Sequence, residues 1–596
     1  MGNDTLDVLI CGGGLAGLTC ALQLRHAMPD LRVTVVEAQA RPLPVACHKV
    51  GESSVELGTH YLAEVLGLGE YLRREHLPKN GLRFFVGPPD TPIAERTEIG
   101  PVESPTVPSF QMDRGKLETD LRRMVEDAGV TLLEGAKVVG LTLGEGGELH
   151  VARIVMPDGA ERQLTARWLF DAAGRRRLIQ RELDMAREGK PVASSAWFRI
   201  HEKLEVGALV PEHERRWHAR DVDHTRWLST NHLMGPGYWV WLIPLSTGYT
   251  SIGIVTDHLH HDPSSYGRKD KALAWIAEHE PALSRWLSTR ELEDFKLLRH
   301  YSAASERVFS GKDRWACLGE SGQFLDPLYS PGTDFVANFN CVATRLVRED
   351  RAGTSTPELA DELIDMLTGW TDDCLRTVGD NGVYFGRAEV FAPKLWWDFT
   401  HYWDCACSYF FNRGYELDLE DHRRVRGAVE QLFRLNEQAQ DLFDSWAELG
   451  ASDQQRRKAF VGLPPYPGFL TDRHLALAKP ALGDALRPRL EEHIALQRSV
   501  LQELFLRALT ELGEARALGD SMRSAGWRPH LSAERIACEQ LPRDERLEHI
   551  SSYARDMDRA FGRARGDGTP LSTLLTLAGF HVDRGASTPK RTRPST

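Results

Sequence analysis

A glycine-rich turn between a strand and a helix is the sequence feature that most constrains the fold. Residues 7–11 form a short apolar run, residues 12–17 read Gly-Gly-Gly-Leu-Ala-Gly, and residues 18–26 have the apolar periodicity of a helix. Residues 31–37 are rich in β-branched side chains and predict a second strand. The order strand, glycine turn, helix, strand predicts a βαβ unit, and therefore a parallel sheet with a right-handed crossover.

The same turn predicts dinucleotide binding, because it fits the pattern G-x-G-x-x-G in the context that the pattern requires. Gly12 permits the tight turn, Gly14 lets the backbone approach a pyrophosphate, and Gly17 lets helix and strand pack closely. Ala16 lies at the helix N-terminus, whose free N–H groups favour phosphate. Glu37 ends the next strand, where it can accept hydrogen bonds from ribose hydroxyls. The alternative is a purely structural turn.

Two later segments favour FAD over NAD as the dinucleotide. Residues 171–174 and residues 318–322, which include Glu320, both follow apolar strand-like pieces and predict two returns of the chain to the cofactor. Such returns suit an extended flavin dinucleotide. No second G-x-G-x-x-G follows a strand, so the sequence predicts no NAD(P)H domain. Without such a domain, the electrons that reduce the flavin come from a source outside this chain, or the flavin itself serves as an oxidant.

The rest of the chain predicts an α/β protein with a Rossmann-like FAD-binding domain, an antiparallel β-sheet substrate domain and a helical C-terminal region. Strand-like patterns mark an antiparallel meander and a later strand pair, at residues 131–143, 150–156, 162–170, 238–245 and 249–255. Long amphipathic segments begin near residue 356, and residues 488–512 and 543–561 are the clearest predicted helices.

These patterns predict a division of the chain into two parts and a tail. Residues 1–350 are expected to form the FAD-binding catalytic unit, with antiparallel substrate-sheet segments near 80–110 and 190–300. Residues 351–585 are expected to form a helical region that caps or shapes the substrate site. Residues 586–596 are rich in Pro, Ser, Thr and Arg and are expected to be a disordered tail.

Composition excludes several classes of function. Lys plus Arg number 73 against 85 Asp plus Glu, and the net charge of −12 argues against a nucleic-acid binder. No apolar run is long enough to cross a membrane. The nine cysteines are odd in number and scattered, which is typical of reduced thiols in a cytoplasmic protein. Cys405 and Cys407, and the histidines of residues 257–262, lack metal-ligand spacing, so we predict no metal site.

Two short segments carry a resemblance to a known family. Residues 50–54 read Val-Gly-Glu-Ser-Ser, and residues 237–244 read Gly-Tyr-Trp-Val-Trp-Leu-Ile-Pro. With the glycine turn they resemble the flavin-dependent halogenases of the FAD-dependent monooxygenase superfamily, and more closely their phenol- and pyrrole-type members. The resemblance places Ser53 beside the flavin. The family usually has a proline two or three residues further on, where this chain has Val55-Glu56-Leu57.

The tryptophan segment is similar to the family signature G-W-x-W-x-I-P. Both tryptophans, the isoleucine and the proline are in place, and Tyr238 stands where the family usually has glycine. The resemblance implies that this segment separates the flavin from the substrate, a role for Trp239, Trp241, Ile243 and Pro244. The alternative is an ordinary amphipathic strand, because alternate residues are large and apolar.

Residues 324–333 are similar to the family's D-P-x-x-S-x-G run. The resemblance implies that this run lies against the flavin ring near the halide site, through Asp326, Pro327, Ser330, Pro331, Gly332 and Thr333. A helix that begins after Gly332 could direct N–H groups at the flavin or at an anion. The alternative is a proline-rich turn before a core helix.

Three single residues complete the predicted site. Lys79 follows the Val-Gly-Glu-Ser segment at about the family's distance, and the resemblance implies that it captures or hydrogen-bonds hypohalous acid. Arg114 matches a position where related flavoproteins keep an arginine near the cofactor, and Glu320 stands where many have an aspartate that contacts the ribitol. The alternatives are a solvated loop lysine and an exposed arginine at the start of a helix.

The implied function is that of a two-component, FAD-dependent halogenase that chlorinates or brominates a phenolic or pyrrolic natural-product precursor. A separate flavin reductase reduces the FAD, and halide is a co-substrate. Eleven of residues 384–411 are aromatic, against 8% for the chain. They predict either a wall for an aryl substrate, free or carrier-bound, or a core that joins the helices to the catalytic unit. The oligomeric state stays open, a homodimer included.

Two other functions remain open from the sequence. The first is a halide-independent monooxygenase, dehydrogenase or reductase of the same superfamily, which the Tyr238 substitution and the missing proline keep available. The second is a catalytically idle flavin-binding scaffold whose helical part recruits a carrier protein.

Overall fold

A computed structural model describes most of the chain. The residues it describes are 5–43, 51–187, 193–299, 303–324, 326–379, 381–450, 460–463, 468–527, 552–562, 564 and 568–580. Val50, residues 543–551 of one predicted helix and the predicted tail at 586–596 lie outside these ranges.

The strands of the described residues form two large sheets and two short ones. In chain order they are β1 Leu6–Cys11, β2 Val33–Glu37, β3 Leu77–Pro78, β4 Leu82–Val86, β5 Thr97–Pro101, β6 Phe110–Gln111, β7 Thr131–Glu134, β8 Lys137–Thr142, β9 His150–Val155, β10 Glu161–Asp171, β11 Ala193–Ile200, β12 Thr230–Gly235, β13 Tyr238–Pro244, β14 Thr250–Asp257, β15 Lys296–Leu298, β16 Ala303–Ala304, β17 Phe309–Ser310, β18 Trp315–Cys317, β19 Gln323–Phe324 and β20 Phe460–Leu463.

The α-helices concentrate after residue 330. They are α1 Leu15–Ala27, α2 Glu56–His60, α3 Gly69–Glu75, α4 Arg114–Asp127, α5 Leu178–Glu182, α6 Arg215–His218, α7 Lys269–His279, α8 Pro281–Leu287, α9 Gly332–Ala352, α10 Pro357–Val378, α11 Ala388–Tyr402, α12 Ser408–Phe411, α13 Leu419–Leu449, α14 Phe469–Ala476, α15 Leu486–Leu512, α16 Ala515–Ser524, α17 Ser552–Phe561 and α18 Leu571–Leu577. One π-helical turn, Trp403–Cys407, directly follows α11.

The first sheet is the predicted parallel sheet. Its order is β17-β18-β10-β1-β2-β7, and β1 pairs in parallel with both β2 and β10. The central strand is fully buried from Val8 to Cys11, which is why it is almost wholly apolar. Strand β9 pairs antiparallel with β10 and β8 with β9, so the predicted meander extends this sheet.

One predicted strand of that meander was wrong. Residues 131–143 form two strands, because Gly135 has a φ of +70° and the chain turns there. The first piece, β7, joins the parallel sheet beside β2, and the second, β8, pairs with β9. The glycine therefore divides the run between a parallel and an antiparallel neighbour.

The second sheet is the predicted antiparallel one. Its order is β15-β11-β14-β13-β12-β4-β5-β20, with β12–β4 and β5–β20 as its parallel pairs. One face packs on the core that it shares with the parallel sheet. The other face is covered by α7 and α8, where Trp275 and Leu283 lie among the buried side chains.

The long C-terminal helices pack on the same core. One continuous cluster of buried apolar residues extends from Leu18 of α1 through Phe339 of α9 to Trp397 of α11 and Leu504 of α15. The predicted helix at 488–512 begins at Leu486, with Pro488 in its first turn. The predicted fold class is confirmed. Among the described helices, none is long and apolar enough to span a bilayer.

Candidate active site

The glycine turn after β1 has the geometry that makes glycine necessary. Gly12 has a φ of +119°, and a Cβ there would lie 2.3 Å from the carbonyl oxygen of Ala172. A Cβ on Gly17 would lie 2.0 Å from the carbonyl oxygen of Gly12. Helix α1 therefore starts tightly against β1 and β10, with its N-terminus open toward the space above the sheet.

Glu37 stands at the rim of this space, at the end of β2. Its carboxylate accepts hydrogen bonds from the N–H of Gly13, at 2.6 Å, and from the N–H of Gln39, at 2.7 Å. The guanidinium of Arg122 lies 3.9 Å away. These contacts fix the carboxylate beside the glycine turn, where the ribose of a dinucleotide is expected.

A cavity of about 650 Å³ runs from the glycine turn to the second sheet. Its size falls within the range of about 300–1,000 Å³ that is usual for ligand sites. Most of the predicted flavin-site residues line it: Gly12, Gly14, Ala16, Glu37, Ser53, Arg114, Trp239, Trp241, Ile243, Glu320, Pro327, Ser330, Pro331, Gly332 and Thr333. The structure thus brings together segments that are hundreds of residues apart.

Three predicted residues lie outside the wall of this cavity. Gly17 lies in the helix–strand contact, and Pro244 ends β13, where it pairs with Thr250. The Asp326 carboxylate accepts a hydrogen bond from the N–H of Leu328, at 2.8 Å, and so shapes the turn before α9. Their contact with a flavin stays a prediction.

A hydroxyl network in the cavity wall joins the loop before α9 to the segment that contains Ser53. Ser330 donates to Ser53 across 3.1 Å, and the Ser53 hydroxyl lies 2.9 Å from that of Thr230. Ser330 has a φ of +60°, an uncommon conformation for a residue with a Cβ. The contact holds the loop before α9 against the segment that contains Ser53.

The tryptophan strand β13 forms the opposite wall. Trp241 donates its Nε1–H to Ser251, at 3.1 Å, and is fixed by that bond. Trp239 is 1% exposed, and its Nε1 has no hydrogen-bond partner among the described residues. Because buried polar groups are normally paired, this N–H fits an acceptor on a bound ligand. The cavity therefore fits FAD in size and in polar groups.

Charged groups flank the middle of the cavity. Arg114 donates to Glu118 at 2.6 Å, and its guanidinium would lie 2.8 Å from a Cβ on Gly51. Burial raises the pKa of Glu320, while the positive charges of Arg114 and Arg175 oppose that rise. Burial also raises the pKa of Glu52, in the same wall, to about 7.

Lys79 lines a second, smaller cavity of about 110 Å³. Pro331 lines both cavities and separates them. The Lys79 side chain is 3% exposed, and its Nζ donates to the carbonyl oxygen of Ser54, at 2.7 Å. Burial lowers the pKa of Lys79 to about 7. The structure therefore excludes a solvated loop lysine.

Asp334, in the first turn of α9, faces the same cavity. It accepts hydrogen bonds from the Tyr402 hydroxyl, at 2.9 Å, and from the N–H of Gly58, at 2.8 Å. Burial raises its pKa to about 8, although the Tyr402 bond and the charge of Lys79 oppose the rise. The carboxyl is therefore largely neutral at pH 7.

The C-terminal helices complete the smaller cavity. Phe399, Tyr402 and Trp403 line it, together with Asp373 and His401. Other aromatic residues of the 384–411 cluster, such as Trp396 and Trp397, are buried in the core instead. Some members of the cluster therefore belong to the core and others line the cavity, and their role toward an aryl substrate stays a prediction.

Sequence reasoning missed the polar groups of this cavity. Asp334, Asp373 and His401 lie on predicted helices, where polar residues are ordinarily solvent-exposed. Asp334 directly follows the loop motif and could have been found as its extension. No local signal marks the others, because the contact depends on how α9, α10 and α11 pack.

Comparisons with known proteins find an FAD binding domain and a similarity to halogenases. A family model described as an FAD binding domain matches residues 5–253. The flavin-dependent halogenase chlA of Dictyostelium discoideum is 27% identical over 513 residues, 79% of this chain and 82% of that protein. The chain is similar to the flavin-dependent halogenases. The enzyme is therefore an FAD-dependent oxidoreductase.

Two further matches concern the sequence and the fold. The 1H-pyrrole-2-carbonyl-[peptidyl-carrier protein] chlorinase of Pseudomonas fluorescens is 24% identical over 363 residues, 58% of this chain and 76% of that protein. A solved structure of a variant of the halogenase PltM in complex with FAD has a TM-score of 0.56 at 16% identity. It covers 93% of this chain and 98% of that one, so the fold extends over the C-terminal helices.

Proposed function

We propose that this enzyme installs chlorine or bromine on an electron-rich aromatic compound, phenolic or pyrrolic, with Lys79 as its catalytic residue. The observation that carries the proposal is the buried amine of Lys79, which lies in a cavity that shares Pro331 with the FAD cavity. The two cavities meet at Pro331. A reactive species formed in the larger cavity has only a short distance to travel to the amine.

The larger cavity suits the oxidation of halide. Reduced FAD, when bound, supplies with oxygen the two-electron oxidation of halide to hypohalous acid. The chain's part is to hold the cofactor with the glycine turn and Glu37 and to keep the substrate on the far side of Pro331. Trp239 and Trp241 close the wall opposite the loop. Burial protects the oxidant from water and from stray nucleophiles.

Lys79 is suited to activate hypohalous acid. With a pKa of about 7, its ammonium is a better proton donor than a solvated lysine and is still substantially protonated at neutral pH. As the halogen leaves for the ring carbon, the ammonium donates a proton to the departing oxygen, which becomes water. The Ser54 carbonyl holds the amine in place for this transfer.

The substrate side also rests on proposals. The apolar ring faces of Phe399 and Trp403 suit an aryl group. The carrier-protein substrate named for the Pseudomonas chlorinase supports a free or a carrier-bound aromatic as the substrate. We propose a separate flavin reductase as the electron source, and residues 351–585 as the region that shapes the substrate site.

Mass spectrometry of halogenated products tests the proposal. The enzyme is incubated with FAD, a flavin reductase, NADH, oxygen and chloride or bromide, over a panel of phenols and pyrroles, both free and carrier-loaded. We expect a product with the halogen isotope pattern. Lys79→Ala should lower its formation at least 100-fold, in the range of general acid–base contributions, while FAD absorbance stays unchanged.

Lys312→Ala, at an exposed lysine, is the matched control and should behave as wild type. Unchanged turnover of Lys79→Ala would remove the lysine from the mechanism. An oxygenated product that forms without halide would favour a monooxygenase. Absence of any turnover would favour a flavin-binding scaffold.

A further inference from the structure

Four carboxyl side chains line the Lys79 cavity, and three of them are held by hydrogen bonds to the protein. Asp334 accepts from Tyr402 at 2.9 Å, Asp373 from His401 at 2.8 Å, and Asp398 from Lys394 at 2.8 Å and from Tyr329 at 2.7 Å. Their oxygens are committed to protein donors. The fourth carboxyl is that of Glu56.

Glu56 is the first residue of α2 and is only partly buried. Within the described ranges, no donor forms a hydrogen bond with its carboxylate, and the closest cationic or potentially cationic nitrogen is His474 Nδ1, at 3.5 Å from Oε1. Glu56 and Lys79 line the same cavity, and the negative charge of Glu56 favours the protonated form of Lys79. Glu56 stands in the stretch where the family that the sequence resembles usually has proline.

His474, on α14, lies beside Glu56. The N–H of Val107 donates to His474 Nε2, at 3.1 Å, so the neutral ring carries its proton on Nδ1. His474 is 2% exposed, and Nδ1 has no hydrogen-bond partner among the described residues. The ring edge of Trp403 packs against it, with 5.0 Å between centroids. A buried donor without a hydrogen-bond partner thus lies 3.5 Å from Glu56, and, of the four carboxyl groups in the cavity, that of Glu56 alone accepts no hydrogen bond from the described residues.

We propose that Glu56 is a second catalytic residue, which accepts the proton of an aromatic O–H or N–H, and that His474 is its positioning residue. This inference rests on the proposed halogenase function and names its substrate class: an aromatic ring whose activating heteroatom carries an ionisable hydrogen. Lys79 and Glu56 then act on the two reactants within one cavity.

The proton balance is complete with these two groups. The ring carbon attacks the halogen of hypohalous acid, the oxygen–halogen bond breaks, and the Lys79 ammonium protonates the departing oxygen to give water. The carboxylate of Glu56 takes the O–H or N–H proton at the same time, so a neutral halogenated dienone or its pyrrole equivalent forms. The proton on Glu56 returns to the Lys79 amine, and the ring C–H proton moves to the heteroatom of the substrate, which restores both aromaticity and the O–H or N–H group.

Glu56→Gln tests the proposal, because the amide keeps the shape of the side chain and cannot accept the proton. The substrates are a phenol that the wild-type enzyme halogenates and the methyl ether of that phenol. A diffusible 1,3-diketone trap reports the formation of hypohalous acid independently of the aromatic substrate. Glu64→Gln, at an exposed glutamate in the turn after α2, is the matched control.

We expect Glu56→Gln to lower kcat for the phenol about 100-fold or more, the usual range for a lost general base. Halogenation of the trap, FAD absorbance and turnover of the methyl ether should stay within threefold of wild type.

Phenol turnover by Glu56→Gln within threefold of wild type, while Lys79→Ala is inactive, would overturn the proposal and leave the halogenase function intact. Equal loss for phenol and ether would also overturn it, because the defect would then be structural. Failure of the wild-type enzyme to halogenate either substrate or the trap would overturn the function itself.

A double-mutant cycle tests the role of His474. If His474 acts through Glu56, His474→Ala should lower kcat for the phenol about 10-fold in the wild-type background and have little further effect on Glu56→Gln, because residues that act as a unit are not additive. Equal losses in both backgrounds would assign His474 a purely structural role.

Discussion

The buried amine of Lys79 carries an electrostatic cost in the folded protein. Its pKa falls from 10.5 to about 7 because burial disfavours the ammonium. The unfolded chain therefore binds a proton between pH 7 and pH 10.5 that the folded chain does not. Stability rises with pH across this window, by about 1.4 kcal/mol for each pH unit. The residue that the reaction needs thus opposes folding most strongly below pH 7.

Lys79→Met removes this cost while it retains most of the side-chain volume. We expect the variant to be more stable than wild type at pH 6, by a few kcal/mol at most, since the bond to Ser54 is also lost. The difference should shrink by about 2–3 kcal/mol between pH 7 and pH 9. Urea denaturation at pH 6, 7, 8 and 9 measures it. A pH-independent difference would contradict the lowered pKa.

Local motifs explain which residues could be predicted from the sequence. Gly12 to Gly17, Ser53 and Pro331 lie in short motifs that can be recognised from consecutive residues. The structure places most of these residues around one cavity. Glu56 and His474 come from opposite ends of the chain, so their proximity follows only from packing. Residues 131–143 show a second limit, because an apolar run does not reveal that Gly135 assigns its halves to different neighbours.

The strand pair β13–β14 shows how one element constrains the flavin wall. Trp241 on β13 packs directly over Gly253 on β14, and a Cβ at Gly253 would lie 2.0 Å from the indole ring. The indole can keep its bond to Ser251 only because residue 253 has no side chain. The absence of a side chain at residue 253 therefore determines where the Trp241 indole lies in the wall of the cofactor cavity.

Gly253→Ala should displace the Trp241 indole. Overpacking of this kind destabilises by about 1–3 kcal/mol. We also expect FAD affinity to fall about 10-fold or more, since each 1.4 kcal/mol corresponds to a factor of ten. Fluorescence titration with FAD measures the affinity, and urea denaturation measures the free energy of unfolding.

Gly427→Ala is the control. That exposed glycine in α13 has open space around it, and alanine should stabilise the helix by about 0.5–1 kcal/mol. An unchanged FAD affinity of Gly253→Ala would show that the position of the Trp241 indole does not affect FAD binding.

At the scale of the whole molecule, the proposed catalytic and helical parts share one core. Buried side chains of α1 and α9 are continuous with those of α11, α13 and α15. Tyr402 of α11 links three elements at the smaller cavity, since its hydroxyl donates to Asp334 of α9 and accepts from the N–H of Leu57 of α2. We therefore expect the residues on both sides of the predicted division at residue 350 to unfold together.

Hydrogen exchange can measure this cooperativity. At a free concentration 100 times its Kd, FAD should stabilise the folded state by about 2.7 kcal/mol. In a cooperative molecule the slowest amides of α1 and of α13 should gain that protection alike.

Tyr402→Phe leaves the Leu57 N–H and an Asp334 oxygen without this partner. It should lower the free energy of unfolding by about 1–3 kcal/mol, again equally in α1 and α13. Tyr409→Phe, whose hydroxyl contacts His422 inside the helical part, is the matched control for loss of a buried hydroxyl. FAD protection confined to the first 350 residues, or a Tyr402→Phe defect confined to α13, would show that the helical part unfolds on its own.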